Sequence, residues 1–115
     1  MKLLESQEQL ESLLRPWTAG TGPSPQPETT CIYFTADWCG ACKALDLEAI
    51  QGVTQKAQWL KCDIDKNKYS AGYCGVRAIP AFLVIHRGKV AGTLKSNQTA
   101  KVSAWLQTVL EDLPQ

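Results

Sequence analysis

The chain has 115 residues, 44% of them apolar and 20% charged, and a formal net charge of +1. That composition suits one compact globular domain over residues 1–115 and gives no electrostatic case for a nucleic acid or an anionic membrane as partner. No apolar run approaches the ~20 residues that cross a bilayer, so no membrane segment is expected.

Lys2 to Leu4 suits a short edge strand. Met1 to Gln7 turns polar after two leucines, too soon for a signal-peptide core, so the expected location is cytoplasmic. Ser6-Gln7-Glu8-Gln9 has capping-box form, and Leu10, Leu13, Leu14 and Trp17 follow at helical spacing. Pro16 should stop this helix near Arg15. Thr18 to Thr30, rich in Gly, Pro, Ser and Thr, reads as an exposed loop, either a tolerated surface insertion or a partner-contacting arm. Cys31 to Thr35 is apolar, β-branched or aromatic and reads as a buried strand. A helix is expected from about Cys39 to Gln55, with Ala41, Ala44, Leu45, Ala49 and Val53 on its buried face and Gly52 weakening its last turns. Trp59 to Ile64 reads as a second strand, and Asp65 to Gly75 as a polar stretch with a short helical middle. Ala81 to Ile85 is a third strand, turned at Arg87-Gly88 into a fourth, Lys89 to Leu94. Ser96 or Asn97 can cap a final helix, in which Val102, Trp105, Leu106, Val109, Leu110 and Leu113 recur at the helical period. This order predicts an α/β fold: a mixed central sheet, parallel through its strand–helix–strand links and antiparallel in its closing hairpin, with helices on both faces. Trp17, Trp59 and Trp105 fall on apolar faces and are core candidates, and His86 reads as a strand or turn residue.

The stretch that carries chemistry is Cys39-Gly40-Ala41-Cys42, with Trp38 ahead and Lys43 behind. Two cysteines at this spacing either close a small disulfide or supply half of a metal site. A strand running into a helix that opens at Cys39 puts this sulfur at the positive end of the helix dipole, which favours the thiolate. Zinc usually takes four ligands, whereas His86 is the only histidine and no second Cys-x-x-Cys exists, so no metal is expected. Five cysteines is an odd number, unlike a stapled secreted domain, and fits one working pair with three spare thiols. Of these, Cys31 and Cys62 sit in predicted strands and read as inert, while Cys74, in a more polar stretch, is a candidate regulatory or dimer-forming thiol.

Four pieces in this order resemble the thioredoxin family over nearly the whole chain. They are Ala36-Asp37-Trp38-Cys39-Gly40-Ala41-Cys42-Lys43, Lys61-Cys62-Asp63-Ile64-Asp65-Lys66-Asn67, Gly75-Val76-Arg77-Ala78-Ile79-Pro80, and the hairpin through Arg87-Gly88-Lys89 with the last helix. The Ala-Asp-Trp-Cys form is also similar to the soluble reductase domain of the bacterial transmembrane disulfide-reductant conduit. The resemblance implies a thioredoxin fold and a reductase of protein disulfides. Cys39 would be the nucleophile, and Cys42, more buried, the resolving thiol. Trp38, Gly40, Ala41, Ile79 and Pro80 would form the substrate-contacting surface, with the Ile79–Pro80 bond cis. No flavin or nucleotide motif is present, so no cofactor is expected, and electrons would come from a thioredoxin-reductase-type partner to a monomeric protein. An oxidase or isomerase, or a docking module with weak redox activity, are the competing readings.

The chain departs from the family pattern at four places. Gly-Ala stands between the cysteines in place of Gly-Pro, which removes a residue pre-set for the first helical turn. Tyr33 stands where the family carries a buried acid, and a phenol stays protonated at neutral pH. Asp37, or Lys61 (which resembles the lysine that partners that acid), is then the candidate for proton transfer. Leu47 replaces a kinking proline, and Ser96 stands near a groove glycine.

Overall fold

The computed structural model describes residues 1–18 and 26–114. Five strands form one sheet in the order β1-β3-β2-β4-β5. They are β1 (Lys2–Leu3), β2 (Thr29–Thr35), β3 (Gln58–Asp63), β4 (Ala81–His86) and β5 (Lys89–Lys95). β1 and β2 pair parallel to β3, while β4 pairs antiparallel to both β2 and β5. The helices are α1 (Gln7–Leu13), α2 (Leu47–Gln51), α3 (Lys68–Tyr73) and α4 (Thr99–Glu111). The mixed α/β sheet expected from the strand order is therefore the sheet observed.

The pleat of β2 divides the interior into two cores, because successive side chains leave opposite faces of a strand. Ile32 and Phe34 point to one side, where they join Leu10 and Leu13 of α1, Ala71 of α3, Leu60, Cys62 and Leu83. Cys31 and Tyr33 point to the other, with Phe82, Val84, Ile50 of α2, and Val102 and Leu106 of α4. Each fully buried leucine or isoleucine contributes roughly 1.5–3 kcal/mol relative to an exposed one. Burial on both faces explains why β2 and β4 read as continuous apolar runs.

Several local expectations hold in atomic detail. Ser6 Oγ accepts from the Gln9 N–H at 3.1 Å, capping α1, which ends ahead of Pro16. The turn between β4 and β5 uses Arg87 at φ 52° and Gly88 at φ 81°. Gly88 is required there, because a Cβ would run into the Arg15 carbonyl. Trp59 and Trp105 pack on the second core. Trp17 is instead half-buried outside both cores: its indole N–H donates to the Gln26 carbonyl and the Arg87 guanidinium sits 5.1 Å from its ring. Most of the 18–30 loop lies outside the described residues, and Thr29 and Thr30 already belong to β2. At the far end of β4, His86 Nε2 donates to the Pro114 carbonyl at 3.1 Å, leaving Nδ1 of the neutral ring to accept from the Thr29 hydroxyl at 2.8 Å.

Two expectations are corrected. The helix expected over Cys39–Gln55 is broken. A 3₁₀ turn spans Ala41–Ala44, Leu45 is extended at φ −82°, ψ 138°, and Asp46 then caps the five-residue α2 by accepting from the Ala49 N–H at 3.1 Å. The break occurs without a proline, and the Asp46 side chain satisfies one of the free N–H groups at the restart. The start of α4 also differs. Its N-cap is Gln98, with no side-chain cap, and Ser96 Oγ accepts from the Gln98 N–H outside the helix at 3.1 Å.

Candidate active site

Cys39 and Cys42 form a disulfide, with Cα atoms 5.3 Å apart. They sit past the end of β2, where the chain leaves the sheet at Ala36 and turns through a Cys39 N–H to Ala36 carbonyl bond of 3.1 Å. Both sulfur-bearing residues are buried, Cys39 at 4% and Cys42 at 7% exposure, so the structure does not reproduce the expected deeper burial of Cys42. Gly40 and Ala41 between them are exposed.

The broken helix changes the electrostatic argument. One 3₁₀ turn carries much less aligned dipole than the long helix expected over Cys39–Gln55. What remains is a specific donor: the Cys42 N–H points at Cys39 Sγ at 3.1 Å. A hydrogen bond to the charged form of an acid favours that form, and this donor is placed at the Cys39 sulfur.

Trp38, directly ahead of Cys39 in the chain, is 66% exposed, and its indole N–H donates to Asp65 Oδ2 at 2.7 Å. Asp65 was not singled out from sequence. The signal was available in Asp63-Ile64-Asp65, acidic residues at a strand end, but nothing in the sequence says the turn after β3 reaches Trp38. The Ile79–Pro80 peptide is cis. Ile79 packs on the core that contains both cysteines, Pro80 is buried, and the Pro80 carbonyl accepts from the Ser96 N–H at 3.3 Å. Among the described residues no backbone hydrogen bond of Ile79 is found.

The proton-transfer candidates are less closely placed. Tyr33 is 2% exposed, shares the core of Cys39 and Cys42, and stacks on Phe82 with ring centroids 5.1 Å apart. Lys61, half-buried, is its register partner on β3. Asp37 is exposed, with no hydrogen bond or ion pair among the described residues. Burial pushes the free Cys31 thiol up to about 12 and that of Cys74 up to about 11. Cys62 is raised to about 12, chiefly by burial and then by Cys74 and Asp63. All three stay protonated at neutral pH and are poor nucleophiles there, Cys74 included. Among the described residues, no group of three or more His, Cys, Asp or Glu is placed to hold a metal ion, and no helix is long and apolar enough to cross a membrane.

A Cys-x-x-Cys disulfide just past the end of β2, with an exposed tryptophan before it and a core shared with the residue ahead of a cis proline, is the site of a thiol–disulfide oxidoreductase. A profile of the thioredoxin family matches residues 25–108, and the chain belongs to that family. It is similar to thioredoxin 2 of Chlorobaculum tepidum, 40% identical over 77 residues that cover 61% of this chain and 71% of the relative. It is also similar to thioredoxin of Bacillus subtilis, 41% identical over 63 residues, 52% of this chain and 61% of that one. Among solved structures, thioredoxin from Trypanosoma brucei brucei superposes with a TM-score of 0.76 at 24% identity, covering 95% of this chain and 89% of that one. The fold, the family and the joined cysteine pair together make this protein a disulfide reductase of the thioredoxin kind.

Proposed function

We propose that Cys39 is the attacking thiolate and Cys42 the resolving thiol in the reduction of protein disulfides. In the reduced protein the Cys39 thiolate attacks one sulfur of a target disulfide. A Cys39–target disulfide forms and the other target sulfur leaves as a thiolate, which takes up a proton. Cys42 then loses its proton and attacks Cys39 Sγ, closing the Cys39–Cys42 disulfide and releasing the second target thiol. Two electrons pass to the target, and a thioredoxin-reductase-type partner returns them. Trp38, Gly40 and Ala41 form one wall of the contact surface. The unpaired Ile79 backbone beside Pro80 receives an extended target segment in the manner of an added strand. The protein acts as a monomer in the cytoplasm.

The observation that carries this reading is the Cys39–Cys42 disulfide, preceded in the chain by the exposed Trp38 and buried in a core on which Ile79 also packs. The test is reduction of insulin disulfides with dithiothreitol or with an NADPH-linked thioredoxin reductase. Wild type turns over with both, and Cys39→Ser with neither. A wild type inactive with both supports instead a docking module that keeps the fold. The burial of the phenol Tyr33, rather than an acid, beside the cysteines favours that second reading.

A further inference from the structure

A cleft of about 220 Å³ opens at the dithiol end of the sheet, between the 74–78 segment and the ends of β4 and β5. It adjoins the contact surface directly. Ala78 on its wall precedes Ile79–Pro80, and Lys95 on the opposite wall precedes Ser96, whose N–H is bonded to the Pro80 carbonyl. Its charged lining is of one sign, Arg77 and Lys95, both exposed and neither in an ion pair among the described residues. No carboxylate lines it. The surroundings of Trp38 differ: acidic Asp37 precedes it in the chain and Asp65 accepts from its indole.

Building on the reduction assigned to Cys39 and Cys42, we propose that this cleft selects disulfide targets carrying acidic side chains next to the reacting cysteine, and that Arg77 and Lys95 receive those carboxylates. Two like charges facing one concavity raise the local concentration of an oppositely charged segment. Their reach, about 10 Å at 0.1 M salt, covers the neighbouring residues of a target laid along Ile79. A guanidinium also offers a carboxylate two parallel N–H donors, so Arg77 adds geometry to charge.

The test uses three disulfide-linked dimers of one short peptide, with Glu, Gln or Lys at the positions flanking its cysteine. Reduced protein is mixed with each, and released peptide thiol is measured after acid quench. With exposed charge pairs of ordinary strength, the Glu peptide should react about five-fold faster than the Gln peptide and the Lys peptide slower still, at low ionic strength. In 0.5 M salt the Glu-to-Gln ratio should fall toward unity. Lys95→Gln and Arg77→Gln should each lower the ratio, and the double variant should abolish it. A Glu-to-Gln ratio near one in the wild type, or a ratio insensitive to salt and to both substitutions, overturns the cleft assignment while the reductase reading stands. A wild type that reduces none of the three peptides overturns the reductase reading, and the cleft assignment with it.

Discussion

Tyr33→Asp tests how the resolving proton is handled, and the structure sets two opposing effects. The ring is 2% exposed, stacks on Phe82 at 5.1 Å, and lies in the core that holds Cys39 and Cys42. Removing a buried aromatic costs about 3–5 kcal/mol, including the 0.5–1.5 kcal/mol that a stacked pair adds to area burial. Against a typical stability of roughly 5–15 kcal/mol the variant remains folded but weakened. The new carboxyl sits in apolar surroundings, which disfavour its charge and raise its pKa toward the range of a useful base. For an acid raised in the folded state, the unfolded chain releases its proton first as pH rises. The variant's extra instability is therefore absent below the ordinary carboxyl pKa and grows as pH climbs through the interval up to the raised value. Resolution should accelerate at least ~10-fold, short of the roughly 10²–10⁴-fold that a well-placed general base supplies. In single-turnover reduction of insulin, acid-quenched samples of wild type should accumulate the Cys39 mixed disulfide, and those of Tyr33→Asp should hold much less. Tyr33→Phe should match wild type. A folded Tyr33→Asp protein with an unchanged mixed-disulfide lifetime refutes the reasoning.

Three further outcomes are expected. Because burial holds the Cys31 thiol at about 12 against an ordinary value of 9.0, the unfolded chain loses this proton first above pH 9, and stability falls with rising pH up to about 12. At pH 10 the loss is about 1 kcal/mol, and Cys31→Ala should show a correspondingly shallower decline in urea midpoint between pH 8 and 10. Gly88→Ala forces a Cβ into the Arg15 carbonyl at a positive φ and should cost roughly 1–3 kcal/mol in urea unfolding. An unshifted midpoint would show that the turn relaxes freely. Asp65→Ala removes the acceptor of the Trp38 indole. It should raise acrylamide quenching of tryptophan fluorescence and raise the KM for insulin about two- to five-fold, given ~0.5–1 kcal/mol for an exposed hydrogen bond. Equal quenching in the two proteins would show that Trp38 is held by other contacts.

The parts of this fold legible in the sequence are those whose reason is local. The Ser6 cap, the stop at Pro16 and the Arg87-Gly88 turn are each dictated by the backbone chemistry of one or two residues. The strands were readable because burial on both faces leaves unbroken apolar runs. The break at Leu45 was hidden, since Ala44-Leu45-Asp46-Leu47 has helix formers around it and only the tertiary position of α2 reveals Asp46 as a cap. That position is fixed from afar: Thr99 Oγ1 of α4 accepts from the Asp46 N–H at 2.9 Å. Within the site, Cys39, Cys42 and Trp38 announced themselves by spacing. Asp65 and the Arg77–Lys95 cleft did not, because their partners arrive from segments distant in the chain. The helix dipole at Cys39 is weaker than the sequence suggests for the same reason, because only a 3₁₀ turn of four residues, Ala41–Ala44, follows it.

The grip of His86 on the Pro114 carbonyl has a practical corollary. β4 begins at Ala81, just after Pro80, and finishes at this histidine, five residues along, or about 17 Å away at the rise of an extended chain. Whatever is fused or immobilised just beyond Pro114 is thereby moored at the opposite end of the sheet from Cys39 and Cys42.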